Sequence, residues 1–185
     1  MGITRFSANL IDRYVKPGSS ILELGNQTLY FGQMFGTPAK NRFQNQGYEH
    51  TSVDLNGLDG SLTLDLTKPL GLGTFDVITD FGTSEHVSDL YQCWKNKYDA
   101  CKVGGIIISE NPQTGNWPKH GNWYYTKKFY SKLGILTGLK ILELGLIPAM
   151  GNIIDGWNVY CIMTRTMGIE FANRDDFETL DIRSE

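Results

Sequence analysis

Five residues suited to ligand chemistry recur at one kind of place along the chain. Gly25, Asp54, Asp65, Asp80 and Glu110 each stand at the end of a short apolar and β-branched run: SILEL, TSVD, SLTL, FDVIT and GIIIS. A glycine at such a turn lets backbone approach a ligand closely, while carboxylates accept hydrogen bonds from hydroxyls and attract cations. Any one of these acids is explained comfortably as a helix N-cap. All of them together fit that account less well, and they make a poor phosphate site but a good one for a cationic, hydroxyl-rich ligand. Downstream, His86 and His120 carry imidazoles able to take a proton near neutral pH.

These residues can meet only if the runs before them lie side by side. Strands are expected at Ser20–Leu24, Thr51–Asp54, Ser61–Leu64, Phe75–Thr79, Gly105–Ser109, Lys140–Leu144 and Val159–Thr164. Helical patterns alternate with them at about 3–15, 28–36, 84–102 and 126–137, the third capped by Thr83 or Ser84 with Glu85 in its first turn. Runs such as FDVI and GIIIS are nearly continuous apolar segments, the pattern of strands covered on both faces. Alternation of this kind implies a parallel sheet wrapped by helices, with ligands beyond the carboxyl ends of the strands.

Composition narrows the classes. With 185 residues, 41% hydrophobic and 20% charged, the chain is an ordinary globular domain with enough length for a core of its own. No repeat or linker divides it, so 1–185 reads as a single domain, with 166–185 as an acidic, flexible C-terminal tail. Cys93, Cys101 and Cys161 are odd in number and lack C-x-x-C spacing; they read as buried thiols in a reducing, cytoplasmic setting. The first fifteen residues hold no signal-peptide run, and the most apolar stretch, Leu133 to Ile154, is interrupted by Lys140, Glu143 and Pro148, so no membrane span is expected. Charge is uneven: 1–94 hold six Lys/Arg against ten Asp/Glu, 95–140 eight against two, and 141–185 three against eight. An acidic chain argues against duplex nucleic acid, whereas the central lysines suit an anionic small molecule.

A nicotinamide fingerprint would need G-x-G-x-x-G after the first strand, but Gly25 is followed by Asn26, Gln27 and Thr28, with no glycine until Gly32. S-adenosylmethionine, with its ribose diol, amino group and sulfonium, fits the acidic strand ends instead. At this point the chain resembles the class I S-adenosylmethionine-dependent methyltransferases, over about Ser19 to Thr164. The resemblance is carried by ILELG (Ile21–Gly25), SVDLNG (Ser52–Gly57), LDLTKPLGLGTFDVI (Leu64–Ile78), EHV (Glu85–Val87) and CKVGGIIISENP (Cys101–Pro112). It implies a Rossmann-like, seven-stranded, mostly parallel α/β sheet with helices on both faces and the last strand antiparallel. It also implies that Glu23 and Gly25 line the methionine side, that Asp54 accepts the ribose hydroxyls, and that Asp65 takes the adenine amino group beside the Leu66 backbone. Asp80, Phe81 and Gly82 would pass near the methionine amine, and Asn26 and Leu55 complete the cofactor-binding set. Asn26 and Gln27 stand where the family usually carries further small residues.

The loop Asn111–Tyr125, NPQTGNWPKHGNWYY, is too polar and glycine-rich to be an element and would hang over the acceptor. Its aromatics either hold a planar acceptor or pin the loop to the core. His120, between Gly115 and Gly121, is the first choice of general base, with His86 and Tyr124 as the other catalytic candidates. Glu85-His86 resembles the E-x-x-E-H metal motif of some small-RNA and ubiquinone-pathway O-methyltransferases, but Gly82 replaces its first glutamate, so no metal is expected. The alternative to a small-molecule methyltransferase is a non-catalytic domain of the same fold that binds a partner or nucleic acid through the lysines of 95–140.

Overall fold

The computed structural model describes residues 2–148, 156–166, 168–180 and 182. In chain order these form β1 (Gly2–Ile3), α1 (Arg5–Tyr14), β2 (Ser20–Leu24), β3 (Thr28–Leu29), α2 (Ala39–Asn45), β4 (Glu49–Val53), β5 (Phe75–Phe81), α3 (Leu90–Ala100), β6 (Cys101–Pro112), α4 (Lys127–Thr137), β7 (Leu139–Pro148), β8 (Trp157–Arg165) and α5 (Arg174–Glu178). Short 3-10 turns cover Gly32–Met34, Leu58–Gly60 and Ser84–His86.

The main sheet has six strands in the order β4-β2-β5-β6-β8-β7. β4, β2, β5 and β6 pair in parallel, and β8 runs antiparallel to both β6 and β7. The sheet is therefore mixed rather than seven-stranded. The strand expected at Ser61–Leu64 is reduced to a single parallel bridge, Val53↔Leu62, in which Leu62 N–H donates to Ser52 O and Asp54 N–H to Leu62 O. Two ladder bonds at the sheet edge leave that segment short of a strand, yet they still deliver Asp65 beside Asp54.

Adjacent residues of each strand feed opposite cores, which is why the apolar runs do not alternate. Ile21, Val77, Ile108 and Ile162 join α1 and α2 in one cluster with Leu10, Ile11 and Phe43. Leu22, Ile78, Ile107 and Cys161 join α3, α4 and α5 in the other, with Trp94, Phe129 and Phe177. Helices thus cover both faces.

Two expected helices are revised. At 28–36 the structure has β3 pairing with β1 and then a 3-10 turn; Gly32 and Gly36 take left-handed φ of 65° and 81°, and the helix starts only after Pro38. The expected helix 84–102 is split: a 3-10 turn ends at His86 and α3 begins after Asp89, whose carboxylate caps the Gln92 N–H at 3.0 Å. Thr83 makes no cap because its hydroxyl donates to Leu24 O. The segment expected as a loose tail is packed over its described part, with Phe171, Phe177 and Leu180 buried, Tyr91 donating to Ala172 O, and Arg174 forked on Asp89 at 3.0 and 2.7 Å. Met167, Asp181 and 183–185 lie outside the described residues. Among those described, no helix is long and apolar enough to cross a membrane.

Candidate functional site

Register brings three strand ends together: Leu24 faces Val53 on one side and Asp80 on the other. Just beyond them opens a cleft of about 560 Å³. Of the expected cofactor residues, Gly25, Asn26, Asp54, Leu55, Asp65, Leu66 and Gly82 line it. Gly25 has φ 81°, and a Cβ there would sit 2.5 Å from Thr83 Oγ1. Only glycine holds that turn.

Asp54 is oriented by backbone before any ligand arrives. Its Oδ2 accepts the Asn26 N–H at 2.8 Å and its Oδ1 the Asn56 N–H at 2.9 Å, which leaves lone pairs on both oxygens toward the cleft wall. Asp65 Oδ1 accepts both the N–H and the hydroxyl of Thr67 at 2.8 Å, and those bonds hold its carboxyl below the usual range.

Three of the strand acids turn inward instead. Glu23 is buried against His50, Oε2 to Nε2 3.1 Å, beneath Phe43 stacked on the imidazole; burial pushes its carboxyl up. Asp80 is fully buried and Oδ2 accepts from Lys97 Nζ at 2.6 Å, Ser84 Oγ at 2.6 Å, Ser109 Oγ at 3.1 Å and Asn111 Nδ2 at 3.2 Å. Burial alone would raise its pKa, but the Lys97 charge and these donors outweigh that and hold it low. Glu110 accepts from Ser7 and Asn158, under α1. Phe81 is likewise buried, in the cluster beneath α1 and α2. Glu23, Asp80 and Phe81 therefore support the cleft from behind rather than line it.

The loop after β6 is tied to its surroundings by hydrogen bonds. Asn122 and Trp123 N–H both donate to Glu85 O, Trp123 Nε1 to Val87 O at 2.7 Å, and Trp117 Nε1 to Trp157 O. Tyr124 is fully buried, and its hydroxyl accepts the N–H of His120 at 2.8 Å and of Gly121 at 3.2 Å. It holds the loop and does not reach the cleft. His120 is brought beside His86, which lines the cleft, their ring centroids 5.1 Å apart. Between them lies the Glu85 carboxyl, fully buried and pushed up by that burial to about 7; burial and neighbouring His120 push the His86 imidazole down.

Gln27, Thr67, Thr83, Val87 and Ser88 also line the cleft and are not among the residues expected there from sequence. Thr83 does carry a signal in the sequence, but it is that of a helix cap. A second cleft of about 360 Å³ shares Ser88 and is walled by Tyr91, Trp123 and Arg174. The lysine-rich third is less free than its count suggests: Lys97 is buried on Asp80, Lys95 pairs with Asp99 and Lys102 with Asp76.

No family model matches the sequence, and no curated protein matches it. Solved structures do match. The 1,6-didemethyltoxoflavin-N1-methyltransferase of Burkholderia thailandensis, with bound 1,6-didemethyltoxoflavin and S-adenosylhomocysteine, superposes with a TM-score of 0.67 at 12% identity, over 88% of this chain and 78% of that one. The N-methyltransferase NodS of Bradyrhizobium japonicum, in complex with S-adenosylhomocysteine, gives 0.63 at 12% identity over 89% of each chain. The [4+2]-cyclase SpnF gives 0.67 at 13% identity, over 88% of this chain and 81% of that one. The fold is that of the class I methyltransferases. Because a cyclase shares it, the fold does not by itself choose the reaction.

Proposed function

We propose that this chain is an S-adenosylmethionine-dependent methyltransferase acting on a small molecule. The observation that carries the reading is the convergence of Gly25, Asp54 and Asp65 on one cleft at the strand ends of this fold. The donor set suits the cofactor: Asp54, fixed by two backbone amides, would accept the ribose hydroxyls. The free Asp65 oxygen and the Leu66 backbone would take the adenine edge, and the turn at Gly25 and Gly82 would run beside the methionine end.

When bound, the cofactor supplies an electrophilic methyl group on a sulfonium. The chain's part is to hold an acceptor lone pair in line with it, so positioning carries most of the rate. A hydroxyl acceptor would also lose its proton; His86 lines the cleft and is the imidazole placed to take it, with the His120 ring behind it, centroids 5.1 Å apart. Trp123 and Tyr91 in the adjoining cleft favour an aromatic acceptor. Binding of a macromolecule through the lysines is the weaker reading, since three of them are engaged in ion pairs.

The test is calorimetry with S-adenosylmethionine and S-adenosylhomocysteine, followed by a screen of small-molecule pools for S-adenosylhomocysteine release. Binding with acceptor-dependent release is expected. No binding by the folded chain would overturn the assignment; binding without release from any pool would favour a non-methylating role.

A further inference from the structure

Among the described residues, Glu85 is the one buried side chain with two unpartnered polar atoms. It is fully buried, and among the described residues neither carboxylate oxygen has a hydrogen-bond partner; the buried Nε2 of His120 also lacks one there. Such groups call for an ion or a strain account. Glu85 Oε1 lies 3.7 Å from His86 Nε2 and 3.8 Å from His120 Nε2. These separations are too long for hydrogen bonds, which fall at about 2.7–3.2 Å. They are close to what two ligands show across one ion: with bonds of about 2.0–2.1 Å, a tetrahedral angle sets neighbouring ligand atoms about 3.4 Å apart, and a wider angle sets them further. One ligand atom from each of Glu85, His86 and His120 lies within 4.8 Å of the other two.

We propose that Glu85, His86 and His120 form a binding site for a divalent transition metal of the zinc class. Two imidazoles and one carboxylate suit zinc, cobalt or iron and do not suit calcium or magnesium, which take oxygen ligands. Three protein ligands leave a coordination position open, and His86 sets that position at the cleft edge.

The backbone is built to hold this arrangement without using the ligand atoms. Glu85 O accepts the Asn122 N–H at 2.7 Å and the Trp123 N–H at 3.1 Å, Asn122 Nδ2 donates to His86 O at 2.9 Å, and the Tyr124 hydroxyl fixes the N–H groups of His120 and Gly121. Gly121 lets the loop close: a Cβ there would meet Glu85 O at 2.9 Å. Gly82 in place of a carboxylate argues against a metal along the sequence, but in space the third ligand comes from the loop after β6. A cation here would polarise an acceptor oxygen directly, relieving His86 of service as base.

The full chain, stripped with chelator, is titrated with Zn²⁺ by calorimetry and with Co²⁺ by visible absorption; neither readout uses methyl donor or acceptor, so its result is independent of the methyltransferase reading. One equivalent is expected to bind, with cobalt d–d bands marking a low-coordinate nitrogen and oxygen site. Glu85→Gln and His120→Ala should each weaken binding by about a hundredfold or more, whereas Asp99→Asn, an exposed acid remote from the cluster, should leave it unchanged. If His120→Ala does not fold, His86→Ala, at an exposed position, takes its place. No stoichiometric binding by the folded wild type, or binding unaffected by Glu85→Gln, would overturn the site.

Discussion

Asp54 is the residue on which cofactor affinity should turn. A charge-assisted hydrogen bond contributes about 1.5–3 kcal/mol, so Asp54→Ala should weaken S-adenosylmethionine binding roughly tenfold to a hundredfold or more. Calorimetry on the folded variant checks this, and unchanged affinity would remove Asp54 from the site. Tyr124 works at one remove. Its buried hydroxyl receives two loop N–H groups, and Tyr124→Phe leaves both without that partner at a cost of about 1–3 kcal/mol. The expected signature is a raised KM for acceptor with cofactor affinity intact; equal loss of both would make the loop a lid for the whole cleft.

Among the elements, α3 and β5 are joined by the buried Lys97–Asp80 pair, whose ammonium also lies 3.3 Å from the Trp94 ring centroid. Breaking such a pair from one side leaves an uncompensated charge and typically costs about 3–5 kcal/mol. Lys97→Met should therefore lower the urea midpoint sharply, and adding Asp80→Asn should restore part of the loss; additive losses would show that the two groups act separately. A milder tie joins the starts of β2, β5 and β6, where Asp76 accepts from Lys102 and from Ser20. The Lys102 bond, then the Ser20 backbone bond, lower the Asp76 pKa from 3.8 to about 2. A depressed carboxylate stabilises the fold above its unfolded pKa and ceases to do so as pH falls through its folded one. Stability from this tie should thus be lost between pH 3.8 and about 2. Because both groups are substantially exposed, the effect should stay below about 1 kcal/mol. Acid titration of Lys102→Ala beside wild type reads it directly, and identical profiles would dismiss the tie.

At the scale of the whole molecule, packing on both faces of the sheet seals the thiols. Burial pushes Cys93 and Cys101 up to about 12 and raises Cys161 as well. All three are buried and unpaired. A thiol-specific disulfide reagent should find none reactive in the folded chain and all three after denaturation. Fast reaction of any one in native buffer would show that its core opens.

Much of the plan is legible in the sequence because it is local. Continuous apolar runs announce strands covered on both faces, and a residue at a strand's carboxyl end has little choice of edge, which is why strand ends suffice to bring Gly25 and Asp54 to one cleft, while Asp65 reaches it through the single bridge at Leu62. The direction a side chain takes at that edge is another matter. Glu23, Asp80 and Glu110 end or precede the same kind of turn, yet each is drawn inward by a partner elsewhere in the chain: His50, Lys97 and Ser7. The same holds for segment 28–36, where pairing with Gly2–Ile3 outweighs helical spacing, and for Ser61–Leu64, where strand propensity finds only one bridge. His120 reaches Glu85 and His86 through a loop pinned by Tyr124, a closure no spacing encodes. Periodicity and turn chemistry are properties of neighbours along the chain and can be read from it; which buried carboxylate meets which cation, and which histidines converge, depends on contacts between distant residues that exist only once the cores have packed.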